Sequence, residues 1–111
     1  MHVQINIHGD KNVSADARAD IETLLLDRLK RFEELFTRLD VYINPNGAAD
    51  AGTDAFLCGI EARAAGKPPI KVHHAARRVD LAAEGATVKL ITATERRVAR
   101  KRTVSRKGHR L

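Results

Sequence analysis

Apolar residues recur along this chain with two different periods. From His2 to His8, Val3, Ile5 and Ile7 alternate with His2, Gln4, Asn6 and His8. A period of two predicts a half-buried strand, and Gly9-Asp10-Lys11-Asn12 supplies the turn after it. From about Ala15 to Leu35 the apolar set is Ala17, Ile21, Leu24, Leu25, Leu29, Phe32 and Leu35 or Phe36. Gaps of three and four predict a helix with one inward stripe. Ser14 is placed to cap it, with Asp16 in the first turn.

The period of two returns at Leu39, Val41 and Ile43, alternating with Asp40, Tyr42 and Asn44, and Pro45-Asn46-Gly47 stops it. Residues 48–54 are small and acidic and predict a mobile loop. A third strand is expected from about Ala55 to Ala65, with Phe56, Cys58, Ile60, Ala62 and Ala64 on one face. Gly66-Lys67-Pro68-Pro69 then reverses the chain into a fourth strand, in which Ile70, Val72 and His74 alternate with Lys71 and His73.

The segment from Asp80 to Arg102 reads DLAAEGATVKLITATERRVARKR. Leu81, Val88, Ile91 and Val98 are separated by seven, three and seven, which predicts a second helix, with Asp80 as a candidate cap. Gly85 inside it costs about 1 kcal/mol relative to Ala, and marks either close approach to the sheet or fraying. The pattern fails after Arg102, so 103–111 is expected to be a basic disordered tail on a domain of residues 1–102. The order strand, helix, three strands, helix implies an α+β fold. Its economical form is a four-stranded sheet with both helices packed on one face.

Charge changes the picture. Residues 1–66 hold seven Lys and Arg against eleven Asp and Glu, and residues 67–111 hold thirteen against three. The two halves balance at −4 and +10 and sum to the net +6. The second helix starts as packing surface and ends as Arg96, Arg97, Arg100, Lys101 and Arg102. A helix C-terminus favours about two cations of this run, not five in seven positions. The pairs Arg96/Arg100 and Arg97/Lys101 repel at i,i+4, and a polyanion would relieve that repulsion. Lys67, Lys71, Arg77, Arg78 and Lys89 extend the basic region. One Tyr and no Trp argue against an aromatic stacking platform. A reader of RNA backbone and shape fits better.

Catalytic chemistry finds little support. His73 and His74 are adjacent in a strand and face opposite ways, so they do not make one metal site. Cys58 is the only cysteine, sits in the inward set and reads as a buried hydrophobe. Asp50 and Asp54 lack calcium-loop spacing. The expectation is no catalytic residue, metal or cofactor. No apolar run reaches membrane-spanning length, and the second helix lacks large apolar residues opposite its basic end, so no membrane partner is expected. A cytoplasmic location follows as the default.

Taken together, these segments resemble the short ribosome hibernation-promoting and ribosome-associated inhibitor family, formerly called sigma-54 modulation proteins. The resemblance covers about residues 2–102. It rests on LLDRLKRFEEL at the end of the first helix, FLCGIEARAAG in the third strand, HHAARRVDLAAEG at the junction, and ERRVARKR at the basic helix end. The sequence departs from the family's pattern at Leu81, where an aromatic residue is common, and at Glu84, where isoleucine is usual.

The resemblance implies a β-α-β-β-β-α fold similar to a double-stranded-RNA-binding module. It implies binding to the small ribosomal subunit and its RNA, in the channel of messenger and transfer RNA. Translation would then be blocked by occlusion during stress or stationary phase. Carried over, the RNA-facing groups are Lys71, Arg77, Arg78, Lys89, Arg96, Arg97, Arg100 and Lys101, with Lys67 and Arg102 as weaker members. Two alternatives remain: a general binder of structured RNA or DNA, and a stress-related protein-interaction domain. Self-association through an edge strand is also open to a small sheet of this kind.

Overall fold

The computed structural model describes residues 4–9, 13–45 and 55–109, with helical backbone alone over 100–109. The elements are β1 (Gln4–Gly9), α1 (Ala15–Arg28), a 3-10 turn (Lys30–Phe32), β2 (Arg38–Pro45), β3 (Phe56–Ala64), β4 (Lys67–Ala76) and α2 (Val79–His109). This is the expected α+β order. The strands form one sheet in the order β1-β2-β3-β4. β2, β3 and β4 are antiparallel neighbours, while β1 runs parallel to β2. A parallel pair cannot be closed by a tight turn, and α1 provides the crossover. The expected loop at 48–54 and His2 lie outside the described residues.

Both helices cover the same face of the sheet. Leu39, Val41, Ile43, Cys58, Ile60, Ala62 and Ile70 meet Ile21, Leu25, Leu29, Phe32 and Phe36 from the α1 side, and Ala82, Ala83, Ala86 and Leu90 from α2. Ser14 caps α1 as expected: its Oγ accepts from Ala17 N–H at 3.0 Å. The helix is shorter than the apolar spacing suggested. It gives way at Leu29 to three-residue bonds, Phe32 N–H to Leu29 O at 2.8 Å and Leu35 N–H to Phe32 O at 2.9 Å. A spacing of three serves both helix types, so periodicity cannot separate them. The tighter winding puts Phe36 in the core and leaves Leu35 exposed.

β4 begins at Lys67, earlier than expected, because Gly66 with φ 73° completes a tighter reversal. Pro68 and Pro69 are tolerated there because β4 is an edge strand and because they fall at the irregularity between the Ala62–Ile70 and Ala64–Lys67 pairs, where neither is in regular register with β3. The pairing shifts register between Ala62 and Ala64 as the turn is approached.

The inward face of α2 also differs from expectation. Leu81 and Val88 are exposed, and Ile91 and Val98 are half-buried. The buried stripe is Ala83, Ala86, Thr87, Leu90 and Thr94, with Ala82 beside it. Small side chains let the helix sit close to the sheet. The Thr87 and Thr94 hydroxyls donate to the Ala83 and Leu90 carbonyls at 2.7 Å, so their burial leaves no donor unpaired. At Gly85 the approach is closest, since a Cβ there would overlap the His74 ring. Asp80 does not cap the helix; it lies in the first turn, and Arg78 precedes the helix. The helical backbone continues beyond Arg102, where the sequence reading ends it, as far as His109. Residues 103–107 contain no helix breaker, and Arg and Lys are good helix formers.

Candidate nucleic-acid interface

The packing of α2 sorts its charges. Glu84 and Glu95 point toward the α1 side, where Arg28 Nη2 lies 3.7 Å from Glu84 Oε1 and Arg31 Nη2 lies 2.8 Å from Glu95 Oε1. Lys89 and Arg96 lie on the other flank, seven residues apart and therefore nearly in line. Lys89 Nζ donates to the His73 carbonyl of β4 at 2.9 Å. The helix thus turns Glu84 and Glu95 to α1, and Lys89 and Arg96 to the β4 edge. Its last buried residue, among those described, is Thr94. Arg97 follows on the same stripe and is half-buried, so the stripe changes from apolar to cationic where the core ends.

The other expected RNA-facing residues are placed unevenly. Arg77 and Arg78 are exposed in the two-residue link between β4 and α2. Arg78 is held by Asp80 in a bidentate contact, Nε to Oδ1 at 3.1 Å and Nη2 to Oδ2 at 3.0 Å. Both groups are largely in water, so this pair orients Arg78 more than it stabilises the fold. Arg77 lines two open clefts on either side of the link. One, of about 530 Å³, includes His74, Leu81 and Gly85. The other, of about 450 Å³, includes Asp20, Leu24 and Phe56.

Lys71 is exposed on the sheet face turned away from the helices and does not share a face with Arg96. The β4 edge, where Lys89 touches His73, is the seam between them. Lys67 is exposed at the start of β4. The side chains of Arg100, Lys101 and Arg102 lie outside the described residues. Among the described residues, Lys71, Arg77, Arg96 and Arg97 make no ion pair. Three of these are exposed cations, available to an anionic partner without first breaking an internal contact.

The outer sheet face holds a constellation that the sequence reading missed. Asp40 lies there yet is only 2% exposed. Its Oδ1 is 3.1 Å from His8 Nε2, and accepts from Asn6 Nδ2 at 3.3 Å and Arg38 Nη2 at 3.1 Å. Arg38 Nε lies 2.9 Å from Oδ2. Burial pushes the Asp40 carboxyl up, but the hydrogen bonds from His8, Arg38 and Asn6 and the Arg38 charge outweigh it and hold it below the ordinary aspartate range. His8 stacks on Tyr42 with centroids 4.7 Å apart and planes 17° from parallel. Alternation already placed His8, Asp40 and Tyr42 on polar faces. What it could not supply was the parallel register that sets Asn6 opposite Asp40 and His8 opposite Tyr42.

Burial raises the Cys58 thiol to about 12, which leaves no thiolate at neutral pH. Among the described residues no three His, Cys, Asp or Glu side chains cluster as metal ligands do. Likewise, no described helix is long and apolar enough to cross a membrane.

No protein-family model and no curated protein matches the sequence. The structure is similar to that of a ribosomal subunit interface protein from Coxiella burnetii, with a TM-score of 0.69 and 14% identity, over 89% of this chain and 99% of that one. It is also similar to the Thermus thermophilus Protein Y N-terminal domain, with a TM-score of 0.64 and 18% identity, over 86% of this chain and 98% of that one. At these identities the likeness establishes the β-α-β-β-β-α fold, along almost the full length of both chains.

Proposed function

We propose that this protein belongs to the ribosome hibernation-promoting family and binds small-subunit ribosomal RNA in the messenger and transfer RNA channel. It acts in the cytoplasm under stress or in stationary phase by filling that channel, and no bond is made or broken. The observation that carries this reading is the two-sided charge of α2, on a fold like that of a ribosomal subunit interface protein. Lys89, Arg96 and Arg97, with Arg77 and Arg78 at the other end of the helix, contact phosphate. Arg100, Lys101 and, more weakly, Arg102 extend the contact along the helix, and Lys71 and Lys67 join it from β4. Phosphate contacts of this kind fix position and carry no base sequence, which suits occupation of one shaped RNA channel.

Co-sedimentation with isolated small subunits tests this reading, beside the variant with Arg77, Arg78, Arg96, Arg97, Arg100 and Lys101 changed to Ala. The expected result is saturable one-to-one binding that the variant loses. The logarithm of affinity should fall with the logarithm of salt concentration, by roughly 0.7–0.9 in slope per phosphate contact. Addition of the parent protein should also inhibit initiation in a reconstituted translation reaction. Equal weak binding to subunits and to any duplex RNA would overturn the ribosomal assignment in favour of a general RNA binder.

A further inference from the structure

The outer face of the sheet carries a glycine with no structural reason to be one. Gly59 sits in the middle of β3, flanked by inward Cys58 and Ile60. Its φ is not in the left-handed region, unlike Gly66. A Cβ at Gly59 would meet only the Val72 carbonyl oxygen, at 3.8 Å, an ordinary contact. A glycine inside a strand weakens it, and without a bulge or steric demand it marks a place that something else approaches.

What surrounds Gly59 says what that is. Its cross-strand partners are Tyr42 on β2 and His73 on β4. The three residues form one row across the outer face, which His8 on β1 completes. His8 covers one face of the Tyr42 ring, so the other face looks across Gly59 toward His73. Two strand spacings separate Tyr42 from His73, about 9.6 Å. A planar ring needs about 3.5 Å on each side, roughly 7 Å in all. The slot therefore takes one planar group. Its near wall is rigid, because His8 is tied to buried Asp40. Glu61 borders the slot along β3, next to Arg63, whose Nη2 lies 2.8 Å from Glu61 Oε1. Lys71 lies two residues along β4 on the same side as Glu61, and the Arg38–Arg63 cross-strand pair lies two residues further, each of its cations already bound to a carboxylate, Asp40 or Glu61.

We infer that the Tyr42–Gly59–His73 slot on the outer sheet face binds one unpaired base of a single-stranded RNA. The base stacks on Tyr42 and lies over Gly59. The adjoining phosphates run past Lys71 and the Arg38–Arg63 pair, and the Glu61 carboxylate accepts from an exocyclic amino group. Duplex RNA cannot enter, since its bases are already stacked. This surface is separate from the α2 flank and does not depend on the ribosomal reading.

The chain provides its own probe. Tyr42 is the only tyrosine and there is no tryptophan, so intrinsic emission reports this site alone. The probes are a short single-stranded RNA without self-complementarity, the same strand as a duplex, and free nucleoside monophosphates, with emission corrected for absorption by the RNA. The single strand should quench Tyr42 saturably, while the duplex should not. Gly59→Val fills the slot at a position where a Cβ fits, so it should melt no lower than the parent. It should weaken single-strand binding by about 5- to 150-fold, the range expected for one stacked base, and abolish the quench. Tyr42→Leu should weaken binding to a similar extent, read by anisotropy of labelled RNA. The six-alanine variant of the α2 side should keep the quench at low salt. Parent-like binding by Gly59→Val, or equal quenching by the duplex, would overturn the inference. Equal affinity for free monophosphates would overturn the assignment to an RNA strand.

Discussion

Replacing Gly85 by Ala should destabilise the protein, although Ala is the better helix former. On propensity alone the change gains about 1 kcal/mol. Against it stands the His74 side chain, which projects from β4 under α2. The new Cβ would overlap Cγ, Cδ2 and Nε2 of that ring. Overlap with Cγ matters most, because rotating the ring about its own axis does not move that atom. Relief requires a different His74 rotamer or a shift of α2, which is held by fully buried Ala82 and Ala86. Overpacking of this kind costs about 1–3 kcal/mol, so the net loss should be about 1 kcal/mol. For a domain near 100 residues that lowers Tm by roughly 4–8 °C. Urea and thermal unfolding followed by circular dichroism would measure it. The decisive comparison repeats the change in a His74→Ala background, where Gly85→Ala should become stabilising by about 1 kcal/mol. A stabilising effect in the parent protein, or no change of sign between backgrounds, would refute the close approach.

Leu90→Ala should cost about 2–5 kcal/mol of unfolding free energy, because it opens a cavity beneath a fully buried side chain, whereas Val88→Ala should change it by no more than about 0.5 kcal/mol. Equal effects in denaturant titrations would mean that the inward face of α2 is wrongly placed. Asp40 titrates below its ordinary range in the folded state, so its contribution to stability is present above about pH 4 and is lost as pH falls through the folded value. Asp40→Asn should therefore flatten the acid limb of the stability profile and cost roughly 1–3 kcal/mol at neutral pH; parallel acid limbs for the two proteins would contradict the buried network. Cys58, buried and raised to about 12, should resist a thiol reagent at mildly alkaline pH until denaturant unfolds the chain; rapid labelling of the native protein would show the site to be open.

Sequence alone determined the order of elements, and did so through short-range geometry. A strand's period of two and a helix's gaps of three and four are properties of the backbone, so Val41, Ile43, Cys58 and Ile60 could be assigned inward without knowing their neighbours. The Ser14 cap and the clustering of cations after Arg77 are likewise local and could be read directly. Small side chains carry a weaker periodic signal than large ones. Leu81 and Val88 outweighed Ala83, Ala86 and Thr87, but close packing of α2 against the sheet favours small residues and allows a threonine whose hydroxyl bonds back to its own helix.

Only tertiary structure decided which residues meet. The parallel pairing of β1 and β2, the burial of Asp40, the His8–Tyr42 stack and the row through Gly59 to His73 all depend on register between strands far apart in sequence. A shift of one residue would turn each of these side chains to the opposite face. The same holds for the separation of α2's charges: Glu84 and Glu95 are indistinguishable from other surface acids until α1 brings Arg28 and Arg31 beside them. Composition could show that the second half of the chain is basic. Packing decided that Lys89 and Arg96 share a flank, because the core and α1 together fix the rotation of the helix.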